Sequence, residues 1–582
     1  MRQFFKFFLA ASLAGITLFF LTLIILIGIG SASSVSETYS APANSVLYLD
    51  LNENIPERLH DDFLDQFDIT TGKSKKTPGL VEILNVIKRA ADDPNIKGIY
   101  LRMGMNSNGS ATLQAIRDEL KAFRTKGKFI IAYGDVVSQK SYYLSSVADK
   151  IYLHPSGVIQ WNGLGTQLFY FKKMFDRLGV QVQAFHVGQY KSAIEPFVRE
   201  QMSDANREQM RYLLGNLWTQ MKDNLSTDRK LDTAALQLLA DSLLIENAPL
   251  AQQYGFTDGV MFEDQVKDEI KKRLGLKPAD KIEEVEVAKY MNQPQTNQTE
   301  PKVAVVFAEG EIVDGKGKRD IAGETYAKLI RELAEDKEIK AIVLRVNSPG
   351  GSALASDIIW REVIQARKKK PVVASFGDVA ASGGYYISCA TDRIFVQPNT
   401  ITGSIGVFGL IPNLSKTFDE QLGITFDEVE TSEHAVLGGV TKPVDPLESV
   451  VIQRGVERVY TDFTQKVSEG RKLPLSDVES VAQGRVWTGA QAIDRKLADE
   501  LGGLEKAVAY AAGKARLKKW QLETYPREKN TFEKIVESLE ESESAKIEAA
   551  LGDQVKILKL LQKINRMQGI QARLPYFSAG SW

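Results

Sequence analysis

NIKGIYLR at 95–102 and EIKAIVLR at 338–345 decide the fold. Five of their eight positions are identical, and they stand 243 residues apart (338 − 95). A second pair, GDVVSQKSYYLSSVADKIYL at 134–153 and GDVAASGGYYISCATDRIFV at 377–396, keeps eight identities in twenty at the same offset, with no gap between. Two matches at one offset mark an internal duplication. Around the second copy, KVAVVFAEGEIV (302–313), AIVLRV (341–346), PVVASF (371–376) and RIFVQP (393–398) read as strands. Helical patterns lie between them at Tyr326–Ala334 and Ala355–Lys368. Short apolar runs alternating with helices imply an α/β unit of parallel strands and crossover helices.

With 582 residues the chain exceeds one hydrophobic core, as a duplication requires. It is 43% hydrophobic and 25% charged, with a net charge of −1, which excludes a global field for nucleic acid. The single cysteine, Cys389, excludes an intrachain disulfide and a Cys-rich metal site. It falls on an apolar pattern and reads as core. His60, His154, His186 and His434 lack metal-ligand spacing, so neither metal nor cofactor is expected.

Arg2 and Lys6 precede an uncharged run from Phe7 to Ser36, followed by Glu37. Its apolar heart is long enough to span a bilayer as a helix, and the charge order favours a cytoplasmic N-terminus. A cleaved signal peptide, with Ser31, Ala32 and Ser33 near the cut, is the alternative, which the span length disfavours. Residues 1–36 are therefore read as an anchor, 37–290 as the first repeat, 291–301 (MNQPQTNQTEP) as a polar linker, 302–528 as the second repeat and 529–582 as a helical tail. Asn206–Arg273 reads as largely helical. In the tail, Phe532, Ile535, Val536 and Leu539 recur at helical spacing and KILKLLQKI (556–564) follows.

The copies differ where chemistry is expected. The second holds RVNSPGGS (345–352), AASGGYY (380–386) and TGSIGVFG (402–409); at the matching positions the first has Gln139 for Ser382, Trp161 for Ser404, and Ser107 and Asn108 for Gly350 and Gly351. The first holds HVGQYKSAIEPF (186–197), whose Lys191 falls opposite His434. Each copy thus carries half of one site. A serine hydroxyl needs a base, and a lysine serves if burial keeps it neutral. Ser382 is the candidate nucleophile, Lys191 the base and Ser404 the group that orients the lysine. The amides of Gly350, Gly351 and Gly383 are candidate oxyanion donors. Glu195, four residues from Lys191, would oppose this role if its carboxylate faced the amine. His186, His154 and His434 show no acidic partner at informative spacing.

GQYKSAIEPF, NSPGGS, AASGGYY, TGSIGVFG and GRVWTGAQAIDRKLADELGG (484–503), in this order, resemble the signal peptide peptidases of the SppA (protease IV) type in their long, duplicated form. The resemblance runs from the anchor to about residue 520. It implies tandem Clp protease/crotonase-like repeats and a serine endopeptidase with Ser382 as nucleophile and Lys191 as base. It further implies a homotetramer on the extracytoplasmic face of a bacterial plasma membrane. The implied substrates are remnant signal peptides and other exported or membrane-associated polypeptides. A crotonase-like acyl-thioester enzyme and a non-catalytic membrane scaffold are the alternatives.

Overall fold

The computed structural model describes residues 39–59, 77–291, 300–317, 320–527 and 569–574, with isolated positions at 7, 15, 17–18, 67–68 and 73–74. The expected membrane span and most of the 291–301 linker therefore lie outside the described residues. Among the described residues no helix is long and apolar enough to cross a membrane.

Both repeats are α/β sandwiches. In the first, β1 (Ser45–Asp50), β2 (Ile96–Met103), β3 (Phe129–Val137) and β4 (Lys150–Ile159) run parallel, with β5 (Gln181–Val187) leaving this sheet. The sheet closes with β6 (Gly259–Val260) beside β4 and β7 (Glu284–Glu286) beside β1. The order is β6-β4-β3-β2-β1-β7. In the second, β8 (Lys302–Glu309), β11 (Ile339–Ser348) and β13 (Val372–Ala381) repeat β1, β2 and β3. Between them lie β9 (Ile312–Val313), β10 (Ile321–Ala322) and β12 (Gly350–Ser352). β14 (Ile394–Val396) repeats β4.

The opening strings become central strands covered on both faces, which is why their runs at 98–101 and 341–344 are apolar. Ile99, Leu101 and Met103 enter the main core of the first repeat, and Tyr100 points the other way to Val266 and Ile270. Ile342, Leu344 and Val346 likewise face one core while Ala341 and Val343 face Ala507, Val508 and Ala511. The covering helices repeat too. α1 (Leu80–Asp92), α2 (Ser110–Thr125) and α3 (Glu263–Leu274) correspond to α4 (Gly323–Glu335), α5 (Ala353–Arg367) and α6 (Leu504–Lys514).

Several expectations need correction. The 302–313 strand breaks after Glu309, where Gly310 turns with φ +102°, and β9 peels off to pair with β10 and β12. RIFVQP supplies only the short β14, off the main path. The sheet instead continues through β15 (Ile401–Gly403), with β17 (Val486–Thr488) antiparallel at its edge, while β18 (Glu500–Leu501) pairs with β14 and β19 (Gln521–Tyr525) lies beside β8. The stretch from Asn206 to Arg273 is, as expected, largely helical, its helices separated by short loops and by β6. In the tail, KILKLLQKI lies outside the described residues, but Ile570–Arg573 forms a strand rather than a helix.

A third sheet joins the halves. Its order is β10-β9-β12-β20-β16-β5, with β16 at Val407–Asn413 and β20 at Ile570–Arg573. β5 of the first repeat pairs antiparallel with β16 of the second, from Gln181 opposite Asn413 to Val187 opposite Val407. A further seam comes from an exchange of partners. Arg102 pairs with Asp135 inside the first repeat. Their counterparts, Arg345 and Asp378, reach across instead. Arg345 donates to both Glu57 carboxylate oxygens, at 2.8 and 3.1 Å, with both side chains buried. Asp378 accepts from the amides of Ala111 and Thr112 at 2.8 and 2.9 Å and from the Thr112 hydroxyl, capping α2. The strand that leads into Ser382 is thereby bolted to the other repeat.

Candidate active site

β13 ends at Ala381, and the chain turns sharply at Ser382 into the helical turn Gly383–Tyr386. Ser382 has φ +54° and ψ −111°, a conformation non-glycine residues rarely adopt. Two backbone bonds hold it there. Its N–H donates to the Gly403 carbonyl at 2.8 Å, and its carbonyl accepts from the Tyr386 N–H at 2.8 Å. Gly384 is required because a Cβ there would meet the Ser348 carbonyl oxygen at 2.8 Å. Ser404, φ +50°, follows β15 and donates its N–H to the Arg485 carbonyl at 2.7 Å.

Lys191 arrives from the other repeat. Because β5 and β16 pair with Val187 opposite Val407, the residues just after Val187 meet those just before Val407. That register brings Lys191 to Ser404. The loop is pinned by the Tyr190 N–H donating to the Gln483 carbonyl at 2.9 Å. The lysine Nζ stands 2.9 Å from Ser382 Oγ and 3.1 Å from Ser404 Oγ, and it donates to the Ser404 carbonyl at 3.3 Å. All three side chains are buried; Lys191 is 2% exposed.

The electrostatics suit a base. Glu195 turns away from the amine: its carboxylate accepts from the Ser203 N–H at 3.2 Å, the Asn206 side-chain amide at 2.9 Å and the Ser203 hydroxyl. Burial pushes the Lys191 amine well below its ordinary 10.5, and no carboxylate among the described residues opposes the shift.

Gly350 and Gly383 lie together: a Cβ on Gly350 (φ +94°) would sit 2.6 Å from the Gly383 nitrogen. The Gly350 N–H donates to Ser348 Oγ at 3.2 Å. Gly351 stands one residue further into β12, opposite Ile312 on one edge and Ala572 on the other. Cys389 is buried and its thiol is pushed up to about 12 by burial, in keeping with a core residue. His434 does have an acidic partner, Asp445, at 3.0 Å, which its spacing of eleven residues (445 − 434) concealed. With Glu448 these two could offer donor atoms to a cation. Asp445 and Glu448, however, already cap each other's amides at the start of the Pro446–Arg471 helix.

Sequence reasoning missed Gly484 and Gly406. Gly484 (φ +77°) touches the Lys191 backbone, where a Cβ would lie 2.7 Å from its nitrogen; a Cβ on Gly406 would lie 2.8 Å from the Gly484 Cα and 3.2 Å from the lysine Cδ. Gly484 opens the GRVWTG string, but the fold alone reveals its task. Gly484→Ala is expected to displace Lys191 and lower kcat at least about tenfold with little change in KM, because an ångström of misplacement is costly in a preorganised site. Steady-state kinetics on the purified variant checks this.

The model of peptidase family S49 matches residues 122–277 and 364–518, one match in each repeat. The Clp protease model matches residues 297–402. The chain is 37% identical to "Protease 4" of Salmonella typhi over 81% of this chain and 78% of that one. It is 31% identical to "Serine protease SPPA, chloroplastic" of Arabidopsis thaliana over 91% and 77%. "Putative signal peptide peptidase SppA" of Enterococcus faecium is 35% identical over 32% of this chain and 54% of that one. A solved ClpP1 mutant of Listeria monocytogenes aligns at 16% identity with a TM-score of 0.24, over 35% of this chain and 94% of that one, too low to bear on the fold. With a duplicated, Clp-protease-like α/β architecture and a family match in each half, the chain belongs to peptidase family S49 and is a serine-type endopeptidase.

Proposed function

We propose that Ser382 and Lys191 form the catalytic dyad, and that the enzyme degrades remnant signal peptides and other exported or membrane-associated polypeptides. The observation that carries this reading is the 2.9 Å approach of a buried lysine amine, without a carboxylate partner among the described residues, to the hydroxyl of a serine with strained backbone. Neutral Lys191 takes the proton as Ser382 Oγ attacks the peptide carbonyl. It then protonates the leaving amine and later activates the water that releases the acyl group. Ser404 holds the amine in line. The amides of Gly350, Gly351 and Gly383 receive the developing oxyanion. The signal-peptide class is suggested by the printed name of the Enterococcus faecium relative and by the motifs quoted above. The run Phe7–Ser36 would anchor the body outside the cytoplasm in a bacterial plasma membrane, and a homotetramer is the assembly the motif resemblance implies.

The test is hydrolysis of a synthetic signal peptide. Wild type cleaves it and folded Ser382→Ala does not; equal rates would overturn the reading. The pH profile adds a signed expectation. Because the base is the neutral amine, kcat/KM falls as pH drops through the depressed Lys191 value, and that limb lies well below 10.5. Ser404→Ala removes one hydrogen bond to the amine and is expected to lower kcat roughly tenfold.

A further inference from the structure

The backbone of Lys191 shows how its amine is aimed. Lys191 has φ −76° and ψ +70°, the values at the centre of an inverse γ-turn. The Ser192 N–H closes the turn by donating to the Tyr190 carbonyl at 2.8 Å. A three-residue turn holds its central residue by that one bond, so the direction of the side chain depends on what grips the ends.

One buried amide grips both. Gln209, in the Asp204–Arg229 helix, donates through Nε2 to the Tyr190 carbonyl at 3.0 Å and to Ser192 Oγ at 3.1 Å. Its Oε1 accepts from the Val486 N–H at 3.3 Å, across the seam in β17. Val486 stands opposite Gly403 and follows Arg485, whose carbonyl holds the Ser404 N–H. The amide is thus bonded on one side to the turn that carries the base and on the other to the strand pair that leads to Ser404. Gln209 is 1% exposed, so water does not compete for these bonds.

The start of the helix delivers this residue. Ser203 caps it by accepting from the Asn206 N–H at 3.1 Å. Asn206 donates its side-chain amide to Glu195, and its own Oδ1 lies 3.4 Å from Gln209 Nε2, one turn on along the same face. The contacts that draw Glu195 away from the lysine therefore also set Gln209 against the turn. In the second repeat the matching helix is Pro446–Arg471. With the caps Ser203 and Asp445 aligned, Val451 stands opposite Gln209. The copy without the base has no amide at the position that would hold one.

Resting on the dyad reading above, we propose that Gln209 is a positioning residue for Lys191, clamping both ends of the γ-turn and tying them to Val486 so that the amine stays in line between Ser382 and Ser404. It touches no reacting atom and acts only through the lysine. The amine faces the two serine hydroxyls, the Ser404 carbonyl and the Phe408 ring, whose centroid is 6.0 Å away, and burial alone sets its proton affinity. A released turn lets the amine move towards water, where it holds its proton more firmly.

The test is hydrolysis of the synthetic signal peptide across pH by the full chain carrying Gln209→Met, which keeps the length and loses the hydrogen bonds. kcat is expected to fall at least about tenfold with KM within about twofold. The limb on which kcat/KM falls with falling pH should move up by at least about half a unit. Gln220→Met, about three turns further along the same helix, removes an amide bonded to Asn216 and should keep the wild-type kcat and limb. Adding Ser404→Ala to Gln209→Met should cost less than Ser404→Ala costs alone, because both act through one amine. Ser192→Ala deletes one end of the clamp and should lower kcat about threefold and move the limb the same way; it decides the matter if Gln209→Met does not fold. Wild-type kcat and limb in the deciding variant, a loss of kcat at an unmoved limb, or an equal loss in Gln220→Met would overturn the inference and leave the dyad untouched. Wild-type hydrolysis by Ser382→Ala would overturn the dyad reading and this inference with it.

Discussion

Lys191→Met is expected to abolish peptide hydrolysis while leaving the fold at least as stable as wild type. The activity loss follows from its place 2.9 Å from Ser382 Oγ. General base catalysis contributes roughly 10²–10⁴, and members of such units fail together rather than additively. The stability claim follows from burial. The amine's folded-state value is depressed below 10.5, so between the two values the unfolded chain binds more protons than the folded one. Wild-type stability therefore declines as pH falls from 10.5 towards the folded value. At neutral pH the buried lysine is a cost that methionine of similar length removes. The melting-temperature difference between Lys191→Met and wild type should be zero or positive at pH 7 and should shift towards wild type as pH approaches 10.5. A melting temperature well below wild type at pH 7 would mean that the amine is structural.

Arg345→Met is expected to weaken the seam between the repeats by about 3–5 kcal/mol, because it strands the buried Glu57 carboxylate without its partner. The double variant Glu57→Met/Arg345→Met should recover most of the loss, since neither charge then remains buried alone. Glu309 gives the effect a pH dependence. Burial first, and then the Glu57 charge, push its carboxyl up to about 7. A raised acid makes the folded state bind more protons than the unfolded one between 4.5 and about 7, so its contribution is lost as pH rises through that window. Arg345 is one of the charges that oppose this shift. The single variant should therefore be relatively worse at pH 8 than at pH 5 in denaturant titrations.

What the sequence made legible was whatever lay in local strings or in their repetition. NIKGIYLR and EIKAIVLR became matched central strands because an apolar run covered on both faces leaves the same trace in either copy. Ser382, Lys191 and Ser404 stood out because the copies differ there, and the structure brings all three within hydrogen-bond reach. What stayed hidden depends on contacts between distant segments. Glu195 sits four residues from Lys191 yet faces Ser203 and Asn206, because the start of the Asp204–Arg229 helix captures its carboxylate. Gly484 looks like any turn glycine until the Lys191 backbone is laid against it. Arg345 and Asp378 match Arg102 and Asp135 in sequence but exchange partners across the seam, which no alignment of the copies displays. Ile570–Arg573 is too short and too far from β12 for its pairing to be read from periodicity.

The central claim, one nucleophile and one base supplied by different repeats of the same chain, is tested most directly by the site and pH dependence of fluorophosphonate adduct formation. Intact-mass and peptide mapping of wild type and Lys191→Met should show one adduct per wild-type chain, on Ser382. Its formation rate should rise with pH along the limb set by Lys191, and the variant should show almost none. An adduct on another serine, or Lys191→Met labelled at the wild-type rate with the same pH profile, would contradict it.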